Sequence, residues 1–127
     1  MSKTDLLKAA TTLKDLIVTT LDDNKAENIE VLDLKENDYI ADFMVIASGR
    51  SSRQVVALAD KLIEKINAEG IKSVRKEGFQ TGDWVVLDAG DVIVHLFKPE
   101  VREFYNIEKM WGDFAQMSAS SQQTVTP

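Results

Sequence analysis

The spacing of apolar residues changes several times along this chain, and each change marks an element. Leu6, Ala10, Leu13, Ile17 and Leu21 recur every three or four residues, which puts them on one stripe of an amphipathic helix. Thr4 stands at the N-cap position with Asp5 near the positive helix end, and Asp22-Asp23-Asn24 interrupts the stripe. From Asn28 to Leu34 apolar and polar residues alternate, the signature of a half-buried strand. Between Asp42 and Ser48 the run is instead continuously apolar, and short enough to be a strand covered on both faces. Ser48-Gly49-Arg50-Ser51-Ser52 makes a turn into a second helix. Ser51 and Gln54 have capping-box spacing there. Val55, Ala59, Leu62 and Ile66 form the buried stripe, broadened by Val56 and Ile63, and Gly70 stands where a C′ glycine ends a helix.

The second half of the chain reads as strands and one more helix. Ile71–Lys76 predicts a short strand, and Glu77–Gly82 a loop with two glycines. Asp83–Asp88 and Asp91–Phe97, separated by Ala89-Gly90, predict a β-hairpin. A two-residue loop at Ala89-Gly90 sets Asp88 opposite Asp91, Val86 opposite Ile93 and Trp84 opposite His95, all six on one face. Pro99 suits the first position of a last helix, on which Val101, Phe104, Tyr105, Glu108 and Trp111 share a face until Gly112. This order predicts a mixed α/β (α+β) domain, one mixed sheet of about five strands with helices packed on it. The single domain is expected over 1–113, with 114–127 a flexible polar tail.

Composition narrows the chemistry. Fifteen Lys and Arg against 21 Asp and Glu give a net charge of −6, which argues against non-specific nucleic-acid binding and suits a basic partner. With no cysteine and one histidine, His95, the chain offers no thiol nucleophile, disulfide, Cys-based zinc site or multi-His metal site. No apolar run approaches the 18 or so residues of a membrane span. The first 30 residues carry six acids and no Arg, unlike a secretory or transit signal, so a cytoplasmic location is expected.

Four constellations invite a functional reading. The Ser48–Ser52 loop, with Arg50 and Arg53, stands at a helix start but has neither a Walker lysine nor a three-glycine fingerprint. His95 has no elbow-borne nucleophile to serve, and beside Trp84 it reads as part of a packed or recognition surface. Asp88 and Asp91 are a close acidic pair that would bind Mg²⁺, face water at the turn, or meet basic groups on a partner. From Glu77 to Phe97 there are four acids, Glu77, Asp83, Asp88 and Asp91, and no Lys or Arg. Trp84 on the same hairpin is either core or an interface anchor. Finally, Phe104, Tyr105 and Trp111 favour core or dimer packing over base stacking, because Glu100, Glu103 and Glu108 share their helix.

Taken in order, two stretches resemble the ribosomal silencing factor, or Iojap-like, family. One runs from Glu77-Gly78 through Gly82-Asp83-Trp84, Leu87-Asp88-Ala89-Gly90-Asp91 and His95-Leu-Phe97 to Arg102, Tyr105, Glu108 and Trp111-Gly-Asp113. The other is Asp42 to Gln54, including Ser48-Gly49-Arg50-Ser51-Ser52-Arg53. The resemblance covers roughly Leu6 to Asp113. It implies a nucleotidyltransferase-like α/β fold without enzymatic activity or cofactor. It implies binding to the large ribosomal subunit through its ribosomal protein fourteen, a steric block to small-subunit joining under nutrient limitation, and a role in late large-subunit biogenesis. It implies little direct RNA contact and self-association of the free protein. The contact surface it implies includes the hairpin, so that Glu77, Asp83, Trp84, Asp88, Ala89, Gly90, Asp91 and His95 are the candidate partner-binding residues; Ala89 stands where relatives often carry Leu or Tyr. The competing reading is a weak Mg-dependent nucleotidyltransferase-type enzyme using Asp88, Asp91 and Ser51, although Ser48-Gly49 reverses the Gly-Ser order of such enzymes and no Asp-x-Asp follows on the next strand.

Overall fold

The structure, a computed structural model, describes the backbone of residues 3–34 and 41–105 and the side chains of 9–34 and 41–102. The elements are α1 (Lys3–Asp23), β1 (Glu27–Asp33), β2 (Phe43–Ser48), α2 (Ser52–Ala68), β3 (Arg75–Glu77), β4 (Trp84–Asp88), β5 (Val92–Phe97) and α3 (Pro99–Tyr105). The five strands form one sheet in the order β1-β2-β5-β4-β3. Only β2 and β5 are parallel; the other neighbours are antiparallel. The expected mixed five-stranded sheet with packed helices is therefore present. Thr4 lies inside α1 rather than capping it, and the short third strand covers only Arg75–Glu77. The Phe104, Tyr105 and Trp111 packing face and the boundary between 113 and 114 fall outside the described side chains.

The two helical stripes meet one face of the sheet. Ala10, Leu13, Ile17 and Leu21 of α1 and Val55, Leu58, Ala59, Leu62 and Ile66 of α2 pack with Phe43, Val45, Ala47, Val85, Leu87, Val92, Val94 and Leu96. Alternation then sends Met44, Ile46 and Phe97 to the opposite face, where they join Leu34 in a second, smaller cluster with Leu32, Trp84 and Val101 at its margin. All six residues of β2 are buried, as its uninterrupted apolar run requires. On the edge, β1 departs from strict alternation: a bulge between Glu27 and Glu30 places Asn28 at φ +51°, a left-handed conformation that Asn tolerates better than most residues.

Both ends of α2 are sealed as its sequence foretells. The Ser51 hydroxyl accepts from the Gln54 N–H at 3.1 Å, while Gln54 Oε1 accepts from the Arg50 N–H at 2.6 Å, one residue short of the usual reciprocal cap. At the other end Gly70 N–H donates to Asn67 and Ile71 N–H to Ile66, the bond pattern of a Schellman motif. α3 crosses the second face, anchored by a buried polar contact in which the Arg102 guanidinium donates to Ser48 Oγ at 2.8 Å.

Candidate functional site

The β4–β5 hairpin closes differently from the sequence expectation. Asp88 pairs with Ile93, Val86 with His95 and Trp84 with Phe97. Ala89 N–H donates to Val92, so the two loop residues are Gly90-Asp91, not Ala89-Gly90. The physical reason is backbone chirality. A primed hairpin turn needs positive φ at its first loop position, and Gly90 supplies φ +93° there, where Ala89 would be strained. Asp88 Oδ1 accepts from Gly90 N–H at 2.9 Å and secures the turn. Trp84, Val86, Asp88, Ile93 and His95 still share one face with Phe97, while Asp91 belongs to the turn.

On that face three rings form a compact group. Trp84 meets Phe97 edge-on with centroids 5.0 Å apart, and His95 lies 5.9 Å from each. The indole N–H of Trp84 donates to His95 Nδ1 at 2.9 Å. His95 is 7% exposed, and burial holds its pKa down to about 4. With Nδ1 accepting, the neutral ring carries its proton on Nε2. Trp84 is half-buried, so it is at once a margin of the smaller core and part of the surface. Val86 and Ile93, also half-buried on this face, were not among the sequence candidates; their alternation with Trp84 was the available signal.

The acidic residues do not form one patch. Asp83 precedes β4 at the end away from the turn, where its carboxylate accepts from Ser52 Oγ at 3.1 Å and pairs with Lys98 at 3.2 Å. The Lys98 bond, then the Ser52 bond, hold its pKa below the usual carboxylate range. Glu77 is exposed at the end of β3, Gly90 and Asp91 are exposed on the turn, and Ala89 packs partly against the main core. The hairpin is not the cation-free region its sequence suggests: pairing brings Arg75 alongside Asp88 and Lys76 alongside Leu87, so cations flank the acidic hairpin in space. The loop from Glu77 to Gly82 returns close to β4; a Cβ on Gly78, at φ +91°, would stand 2.1 Å from the Trp84 carbonyl oxygen.

The enzyme alternative does not assemble. β2 runs from Phe43, beside the hairpin turn, to Ser48, beside Phe97. Ser51 follows the far end, so about 17 Å or more of strand separates it from Asp88 and Asp91. Its hydroxyl is spent on the α2 cap, and Arg50 is paired with Glu27 at 3.0 Å. Among the described residues no cluster of His, Asp and Glu could hold a metal ion, and no helix is long and apolar enough to cross a membrane.

The fold is that of a mixed α/β protein with helices packed on a five-stranded sheet. Comparison supplies the family. Residues 8–127 match the family described as "Ribosomal silencing factor during starvation". Ribosomal silencing factor RsfS of Zymomonas mobilis is 54% identical over 100 residues, 79% of this chain and 75% of that protein. The mouse protein named mitochondrial assembly of ribosomal large subunit protein 1 is 33% identical over 100 residues, 76% of this chain and 44% of its own. The crystal structure of a Chromobacterium violaceum protein superposes with a TM-score of 0.76 at 38% identity, covering 80% of this chain and 85% of that one. The chain belongs to the ribosomal silencing factor family.

Proposed function

We propose that this protein represses translation in the cytoplasm by binding the large ribosomal subunit through its ribosomal protein fourteen and occupying the surface on which the small subunit would join. The observation that carries the reading, beside family membership, is the β4–β5 hairpin. Its two strands lie inside the five-stranded sheet, each backed by a further strand, with Trp84, Val86 and Ile93 half-buried on one face and Asp88 and Asp91 at its tip. An interface built this way has an aromatic anchor, an apolar surround and a charged rim. Steric exclusion needs only a placed surface, in keeping with a histidine that is buried and hydrogen-bonded and a serine that caps a helix. Direct RNA contact is minor, given the net charge of −6. A part in late assembly of the large subunit uses the same contact.

Co-sedimentation with purified large subunits tests the assignment. The wild-type chain pellets with them, and Trp84→Ala, still folded by circular dichroism, is recovered in the supernatant after losing about 2 kcal/mol or more of binding free energy. A folded Trp84→Ala protein that pellets like the wild type contradicts the hairpin as the docking element.

A further inference from the structure

The Trp84–His95 contact has an orientation that matters beyond packing. An indole at a half-buried position keeps rotamer freedom unless something fixes it. Here Phe97 supports the ring edge-on, and His95 Nδ1 takes the indole N–H at 2.9 Å. The imidazole is held in turn: it pairs across the sheet with Val86 on one side and Ile46 on the other, and is 7% exposed. A 7% exposed ring at the floor of the hairpin face offers a partner almost no contact area of its own. We infer that His95 is a positioning residue for docking, one that acts through Trp84 by holding the indole in its binding orientation from beneath. The inference rests on the hairpin as the docking element.

Only a neutral imidazole serves. Protonated at both nitrogens, it would present a donor to the indole donor. The charged groups on this face are Asp88, whose carboxylate accepts from Gly90, Arg75 and Glu77 of β3, opposite Asp88 and Val86, Glu30 of β1, opposite Ile46, and Arg102 of α3, which donates to Ser48. The desolvated setting keeps His95 neutral across the ordinary working range.

Two variants separate positioning from bulk. His95→Phe keeps a ring but removes the acceptor; His95→Asn shortens the side chain but places an amide oxygen near the position of Nδ1. In a Trp111→Phe background Trp84 is the sole tryptophan, so its indole N–H resonance reports on the bond directly. The expected result has three parts. The indole resonance moves in His95→Phe and stays near the wild-type position in His95→Asn. Large-subunit affinity falls about fivefold or more in His95→Phe, the worth of one such hydrogen bond. His95→Asn restores most of the affinity. An indole resonance unmoved in His95→Phe, or His95→Phe binding like wild type while Trp84→Ala is impaired, overturns this inference alone. Wild-type binding by Trp84→Ala overturns the docking reading beneath it.

Discussion

Acidification separates a histidine buried neutral from one on the surface, and the expected size follows from the structure. Unfolded, His95 takes up its proton near pH 6.5; folded, burial delays this to about 4. Below pH 6.5 the unfolded chain therefore binds more protons than the native one, and stability falls with pH. The loss accumulates between 6.5 and 4 and levels off below. The gap is about 2.5 pKa units, and at 1.36 kcal/mol per unit it amounts to about 3 kcal/mol. That is a large share of the roughly 5–15 kcal/mol that holds a typical domain together. The carboxylate of Asp83, held below its usual range by Lys98 and Ser52, adds a loss of the same sign at lower pH. Comparison with His95→Asn removes this background, because every other titrating group is common to both proteins. Urea unfolding followed by circular dichroism at steps from pH 7 to 4 is the assay. The wild-type midpoint should drop relative to the variant by roughly 2 M across the window, taking about 1.5 kcal/mol per molar for a chain of this size. Parallel pH profiles for the two proteins would show that the imidazole is not buried neutral and would refute the reasoning.

Other expectations concern backbone and charge. Gly78→Ala introduces a Cβ 2.1 Å from the Trp84 carbonyl at φ +91°, so it should cost about 2 kcal/mol or more, read as a fall in melting temperature, whereas exposed Gly90 has open space around it and only its own φ to satisfy. Asp91→Lys, at the exposed turn, should slow association with large subunits at low salt while leaving the melting temperature nearly unchanged; an on-rate insensitive to both the substitution and salt would mean that the turn points away from the partner.

Most of the architecture was legible because its causes are local. The stripe of α2, its Ser51 cap and the Gly70 end each follow from residues within four positions, and the buried character of β2 from six consecutive residues. Leu58 was missed because it widens the stripe on the side opposite Val56 and Ile63. The hairpin register was misread by one position in the loop: Ala89-Gly90 and Gly90-Asp91 both look like turns, and only the demand for positive φ at the first loop residue separates them. What no local pattern could show is which strands become neighbours. That pairing sets Arg75 beside Asp88, joins Lys98 to Asp83 across the mouth of the hairpin, and sends Ser51 to the far end of the sheet from Asp88 and Asp91. The pairing thus changes the charge pattern around the hairpin, and the alternative catalytic set is dispersed by topology alone. Trp84, ambiguous between core and surface, is both, because the smaller core cluster ends beneath it.

Order of addition tests the central claim, mutual exclusion with the small subunit, most directly. If the protein occupies the joining surface, its binding and small-subunit binding must oppose each other reciprocally. Large subunits incubated first with this protein and then given small subunits should sediment as separate particles and translate poorly. Pre-joined ribosomes challenged with the same concentration should stay joined and keep translating until they dissociate. Equal inhibition in both orders, or a particle carrying this protein and both subunits together, would contradict the account.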